Sequence, residues 1–358
     1  EVLTNGQIGG RRNIVINGAM QVAQRGTSDS GITSSEYANG PDRFKLGGSS
    51  FGTVTVSQST DSPNDFGNSY KVDVTTANGS LSAGSLLEIQ TSLEGQDVQD
   101  FAKGTSDAKQ YALSFHVKST KNGTYVVMLF DHDNNRMVCK TYTVSDANWN
   151  KYTLIFPADT TGAFGNDNGK SLSVKFVLVA GTTFTSGTLQ TTWGSSDNAK
   201  SRVGQVNFAD STSNDWYVTG VQLEIGSVAT EFEYRSFADE LRRCQRYYEK
   251  SYRYEDAVGS SSNTNGNIDM NISSNQHGTA VYHLRFFQEK RAEPTITVYR
   301  ADTGASGQWQ YGKSGDNTAF ANVTIDSLST KTARTYLAIG TAYTPCYIAG
   351  HYTAEAEL

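Results

Sequence analysis

Proline is scarce in this chain, with 5 among 358 residues, and cysteine is scarcer, with 3. Cys139, Cys244 and Cys346 are odd in number, far apart and without CxxC spacing, so neither a disulfide framework nor a zinc site is indicated; buried thiols are expected instead. No apolar run approaches the ~18 residues of a membrane helix, and no membrane insertion is expected. The opening EVLTNGQIGGRRN has no apolar signal-peptide core and reads as an internal cut or a mature end. Positive charge is in deficit: 30 Lys and Arg against 36 Asp and Glu leave a formal charge of −6, without the basic footprint that grips phosphate backbones. Nucleic acid is excluded as a partner on that ground. GxSxG, HExxH, a Walker loop and a dinucleotide fingerprint are all missing, so the chain is not expected to be an enzyme or to need a cofactor. Its five histidines, His116, His132, His277, His283 and His351, are scattered and read as structural.

What is present is glycine, 34 residues of it, together with runs of Ser, Thr, Asn and Asp between short alternating segments. FGTVTVSQS, SYKVDVTT, SLLEIQTSL, YALSFHVKS, TYVVMLFD, RMVCKTYTV, KYTLIFPA, SLSVKFVLVA and DWYVTGVQLEIG alternate apolar and polar residues as half-buried strands do. About ten such strands before residue 230 suit a two-sheet sandwich. The spacing predicts two hairpins, VVMLFDHDNNRMVCKTY and IFPADTTGAFGNDNGKSLSVKF. Upstream, RRNIVINGAMQVAQRGT is expected to open with a strand and an Asn17-Gly18 turn, and SDSGITSSEYANGPD to be a crossing loop. Beyond residue 253, IDMNISS, TAVYHLRFF, TITVYRA, GQWQYGK, FANVTIDSLS, TYLAIG and YIAGHYTAEA suit a smaller sandwich.

Between the two strand-rich regions, SFADELRRCQRYYEKSY carries a helical period. Phe237, Leu241, Cys244, Tyr248 and Tyr252 form one stripe, and Ser236 with Asp239 resembles a capping box. The expected architecture is all-β: an N-terminal arm at 1–10, a jelly-roll domain at 11–235, a connecting helix at 236–252 and a smaller β-sandwich at 253–358. Helix content should stay below ~10%, against the ~30–35% usual in globular domains. Tyr247, Tyr248 and Tyr252 with Arg243 and Arg246, alongside Phe237 and Leu241, are more than one stripe buries, and Tyr and Arg favour interfaces. They are the candidate domain or subunit contacts, and a homotrimer is expected from them.

Few residues offer chemistry. Asp131 to Asn135, DHDNN, could supply oxygens to a hard cation, but a hairpin turn is the better reading, and GNDNGKS at 165–171 is weighed the same way. Carboxylate pairs could be drawn from Glu88, Glu94, Asp97 and Asp100, yet all four read as solvated surface groups, and no metal site is assigned. With 19 Tyr, 16 Phe and 4 Trp, aromatic rings are plentiful. Trp193 in LQTTWGSSDN, and Trp309 with Tyr311 in GQWQYGKSGDN, sit among polar residues and are candidate sugar-stacking positions; core burial or a subunit contact is the alternative.

RRNIVINGAMQVAQRGTS, GPDRFKL and YVTGVQLEIGSVATEFEYRSFADELRRCQRYYEKSY resemble segments of tailed-bacteriophage tail-fibre and other virion appendage proteins, and RAEPTITVY and HYTAEAEL fit the same group. The region before the helix also resembles carbohydrate-binding-module jelly rolls, which open on an NG-containing strand and close on one like YVTGVQLEIG. Those modules often carry a structural calcium, but no ligand set matches residue by residue. The resemblance implies a homotrimeric virion appendage, a tail fibre or other surface part, that touches other virion proteins and a host cell-surface glycan. A purely structural virion part and a polysaccharide-degrading enzyme are the alternatives.

Overall fold

A computed structural model describes residues 12–261, 267–272, 278–313, 316–339 and 346–358, so the expected arm at 1–10 lies outside the described residues. Strand accounts for 46% of the chain and helix for 8%, an all-β protein with two antiparallel sheets. Among the described residues no helix is long and apolar enough to cross a membrane. Two compact units form, one from residues up to 240 and the other from Leu241–Glu357, and the short segment Gln24–Gly26 belongs to the second.

The first unit contains β1 (Ser28–Glu36), β2 (Lys45–Ser59), β3 (Ser69–Thr76), β4 (Leu86–Glu94), β5 (Tyr111–Ser119), β6 (Gly123–Asp131), β7 (Arg136–Val144), β8 (Asn150–Phe156), β9 (Lys170–Ala180), β10 (Gly194–Ser195) and β11 (Asp215–Ile225). Their order, β10-β7-β6-β9-β4-β2-β3-β11-β5-β8, is one continuous path. It becomes a sandwich because β2 serves both leaves: Lys45–Ser49 pairs with β4, and Thr53–Ser59 pairs with β3. Glycine permits the crossing. Gly48 and Gly52 have φ of +121° and +95°, and a Cβ there would lie 1.9 Å from the Leu86 carbonyl oxygen or 2.2 Å from that of Thr76. Leu87, Ile89, Val127, Val174 and Phe176 of the first leaf share one core with Val72, Leu113, Phe115, Trp216 and Val218 of the second. Phe176 meets Phe115 edge-on at 5.0 Å between ring centroids.

Three local expectations need correction. Residues 12–27 hold no strand: the Asn17-Gly18 turn forms, with Asn17 at φ 61°, but Asn17 Nδ2 donates to the carbonyls of Val22 and Asp42 and pins the segment as an irregular loop. The supposed crossing loop instead contains β1, a mostly exposed strand that follows β2 from Ser57 back to Leu46 and, apart from buried Ile32, is polar on both faces and so without visible alternation. DHDNN is, as expected, the turn of the β6–β7 hairpin, where Asp131 Oδ1 accepts from the amides of Asp133 and Asn134. The second predicted hairpin does not exist. β8 pairs with β5, whereas β9 pairs with β4 and β6, so residues 157–169 cross from one leaf to the other. A buried ammonium clasps that crossing: Lys103 Nζ lies 2.6 Å from Asp131 Oδ2 and 3.0 Å from Asp159 Oδ2, and donates to the carbonyls of Thr161 and Gly162.

In the second unit β12 (Tyr248–Lys250), β13 (Ile268–Ile272), β14 (Thr279–Arg285), β15 (Thr295–Arg300), β16 (Gln308–Lys313), β17 (Asp316–Asp326), β18 (Thr332–Ala338) and β19 (Cys346–Glu355) form an eight-stranded antiparallel sheet. β19 pairs with β12, β13, β15 and β16, and β17 carries the path from β16 to β18. Trp309, Ile348, Tyr352, Leu284 and Leu337 centre its core. Gln24 and Arg25 join this unit by side chains: Gln24 Nε2 donates to the Tyr248 carbonyl, and the Arg25 guanidinium lies 3.8 Å above the Tyr248 ring.

Besides the single-turn α1 (Thr182–Thr185), the chain has α2 at Phe237–Gln245, shorter than the expected 236–252. Ser236 Oγ accepts from the Asp239 amide and donates to its carboxylate, the expected cap. The helix stops because Tyr247 N turns back to the Cys244 carbonyl and Tyr248–Lys250 then pairs with Thr353–Glu355. The division between the units falls inside it, after Glu240.

Candidate functional site

Strand periodicity builds a polar face on the outside of the first leaf. Leu87, Ile89 and Leu93 of β4 enter the core, so Glu88, Gln90, Ser92 and Glu94 stand on the opposite side. On β9 the inward residues are Leu172, Val174 and Phe176, and the outward ones Ser171, Ser173 and Lys175. On β6, Tyr125, Val127 and Leu129 are inward, and Val126, Met128 and Phe130 outward. Register then sets two rows across neighbouring strands. One runs Lys45, Gln90, Lys175, Met128; the next runs Ser92, Ser173, Phe130, Met137.

Part of this face is apolar and covered. Val126, Met128, Met137, Cys139, Val177 and Ala180 form a small cluster with Phe184 and Leu189 from the segment after β9. Beyond that cover lies a pocket of ≈ 460 Å³, lined by Phe130, Asn135, Lys175, Ser196, Asn198 and Arg202 among others, and half-buried Gln90 and Lys45 continue the row outward from Lys175. Lys175 Nζ donates to Glu88 Oε1 at 2.8 Å and Arg202 to Glu88 Oε2 at 2.6 Å. The Lys175 ammonium also lies 5.3 Å from the Phe130 ring centroid. Ser173 Oγ sits 2.8 Å from both Ser92 Oγ and His132 Nε2. Gln90 Oε1 is buried yet accepts no hydrogen bond from the described residues.

The face perturbs its own titrating groups. Burial raises the Glu88 carboxyl, but Arg202 and Lys175 outweigh it and hold the pKa at about 2. Burial, then the charges of Lys170 and Lys175, push His132 down to about 3 against the weaker opposing pull of Glu88. Both folded values lie below the ordinary ones, so the unfolded chain takes up these protons first and acid destabilises. Stability from His132 is full above its ordinary 6.5 and is lost as pH falls toward 3; that from Glu88 is full above 4.5 and is lost as pH falls toward 2. The melting temperature of the first unit should therefore decline from about pH 6.5 downward, and His132→Gln should flatten the slope above about pH 4.5. A wild-type profile that is level down to about pH 5 would contradict the burial of a neutral His132.

The residues singled out from sequence lie elsewhere. Trp309 has no exposed surface: it packs flat on Gly350, where a Cβ would lie 2.0 Å from its ring, and Nε1 donates to the His351 carbonyl. It is a core residue, and the expectation that it stacks on sugar is corrected. Tyr311 is half-buried against the same core. Trp193 belongs to the first unit, half-buried, with Nε1 donating to the Pro157 carbonyl and its ring beside Tyr111 and the Lys103 ammonium. The surplus aromatic surface inferred near the helix is also absent, because Tyr247, Tyr248 and Tyr252 are buried within the single chain; Leu241, Arg243 and Arg246 are half-buried and Phe237 is exposed.

Glu88 and Glu94 are buried as well, not solvated surface groups. Six residues apart on one strand, they are separated by roughly 20 Å at ~3.3 Å per residue, too far for the ~5–9.5 Å of a glycosidase carboxylate pair. Lys45, Gln90, Phe130 and Lys175 were not singled out from sequence; the signal for Gln90 and Lys175 was the polar phase of alternation in SLLEIQTSL and SLSVKFVLVA, and Phe130 sits at the outward phase of the apolar run TYVVMLFD.

No family model and no curated protein matches the chain. Among solved structures, it is similar to the enzymatically active domain of bacteriophage CBA120 tailspike protein 4, at 15% identity and a TM-score of 0.32, over 61% of this chain and 22% of that one. The chain thus spans about a fifth of the tailspike's length. It is also similar to a family 11 carbohydrate-binding module from Clostridium thermocellum (14% identity, TM-score 0.29, 52% of this chain and 91% of that). A third similar structure is a putative sugar binding protein from Bacteroides thetaiotaomicron (11%, 0.31, 60% and 100%).

Proposed function

We propose that the first unit is a glycan-binding domain acting without chemistry, and that the protein is a bacteriophage appendage, a tail-fibre segment that holds the virion to host surface glycans. One observation carries the binding reading: a half-buried aromatic ring, Phe130, opposite Ser173 and 5.3 Å from the Lys175 ammonium, with the unsatisfied acceptor Gln90 on the other side of Lys175. A pyranose ring has an apolar face and a rim of hydroxyls, and so matches a flat ring bordered by amide, hydroxyl and ammonium groups. Binding without cleavage is favoured by the state of Glu88, whose carboxylate is held ionised by two cations and has no proton to give a leaving group.

Phe130→Ala should weaken retention on a glycan-bearing matrix about tenfold or more, and Gln90→Ala by a smaller factor, with melting temperatures near wild type. Unchanged retention in both variants would move the site off this face. The appendage reading rests on the sequence resemblance and includes a homotrimer and contacts with other virion proteins. Light scattering should then return a mass of about three times 38.9 kDa, and a monomer mass at every concentration would reject the trimer.

A further inference from the structure

The candidate face runs against the charge of the molecule. The chain as a whole carries −6, yet Lys45, Lys170 and Lys175 gather here with Arg43 and Arg202, against two buried carboxylates, Glu88 and Glu94. Register fixes part of this grouping, because Lys45 and Lys175 flank Gln90 from the strands on either side. Glu88 is already shared between Lys175 and Arg202, and Glu94 accepts from Gln96 Nε2. Neither Lys45 nor Lys170 has a carboxylate partner among the described residues; Lys45 lies 5.3 Å from the Tyr37 ring centroid.

We propose that the ligand of this face is an acidic glycan, whose anionic substituent sits between Lys45 and Lys170 while a neighbouring hydroxyl donates to Gln90 Oε1. The inference rests on the glycan reading above and narrows it to a chemical class. Three ammonium groups crowded on one face repel one another, and an anion among them relieves that cost while gaining charge-assisted hydrogen bonds. Lys170 already registers the crowding: burial, then Lys175 and Lys45, push its pKa down to about 8. A neutral glycan would leave that repulsion in place.

The test uses the whole chain and affinity electrophoresis through polygalacturonate, alginate, hyaluronate, polysialate and a glycerol-phosphate teichoic acid. Each carboxylated polymer is run beside its carboxyl-reduced, neutral counterpart. Retention by at least one acidic polymer is expected, lost on carboxyl reduction if the anion is a carboxylate and confined to the teichoic acid if it is a phosphate. Lys45→Gln with Lys170→Gln should weaken it about tenfold at an unchanged melting temperature, and raising salt from about 50 to about 300 mM should weaken it in wild type. Equal retention of charged and reduced polymers, or retention indifferent to the two lysines, overturns the proposal. Retention of neutral glycans alone, through Phe130, overturns it but leaves the glycan reading standing. Retention of nothing defeats both.

Discussion

Lys103→Met is expected to cost the first unit about 3–5 kcal/mol, the usual result of removing one member of a buried ionic group. The ammonium has no solvent exposure, and four oxygens surround it: two carboxylates, Asp131 and Asp159, and the carbonyls of Thr161 and Gly162. Methionine fills much the same volume but leaves Asp131 as an uncompensated buried charge, while Asp159 keeps Arg136. The damage should be local first, because the four oxygens come from two different loops. Amide exchange in 157–169 and in the β6–β7 turn should accelerate before the rest of the sandwich loosens. Urea unfolding within about 1 kcal/mol of wild type would mean that the clasp contributes little.

Trp309→Ala is expected to cost the second unit a similar amount, about 3–5 kcal/mol, by emptying the centre of its core. The ring lies on Gly350 and is joined by the Tyr282 ring at 6.1 Å, so no neighbour collapses easily into the space. Exchange in β16 and β19 should rise sharply. Glycan retention through the first unit should persist at temperatures where this variant stays folded. Loss of retention with intact exchange protection would return Trp309 to the binding role that its sequence context suggested.

That contrast shows what the sequence made legible. The strands from 45 to 225 were readable because each buries one face, so apolar residues recur at every second position. Pairing was harder, because turn formers mark where a chain bends but not which strands the bend joins. Residues 157–169 look like a hairpin loop by composition; the pairing of β8 with β5 and of β9 with β4 and β6 makes them a crossing between leaves, clasped by Lys103, a residue more than fifty positions upstream. β1 was missed for the opposite reason: exposed along the edge of β2, it has a single buried residue, Ile32, among polar ones and no alternation to read.

The candidate site was hidden by distance along the chain. Lys45, Gln90, Lys175 and Phe130 come from four strands, and each alone is an ordinary outward residue. Trp309 misled because its glutamine neighbours were taken to mark an exposed, polar surrounding. In GQWQYGK they are the outward phase of a strand whose inward residue is the tryptophan. Tyr247, Tyr248 and Tyr252 misled in a similar way, since a helical period assigned to all of 236–252 hid the strand at Tyr248–Lys250.

The most direct test of binding without chemistry is incubation of the protein with envelope polysaccharide from a bacterial host, followed by measurement of both what is retained and its chain length. Retention of the polysaccharide at unchanged length, weakened about tenfold or more by Phe130→Ala, is the predicted result. Shortened chains, or no retention by the wild-type protein, would contradict it.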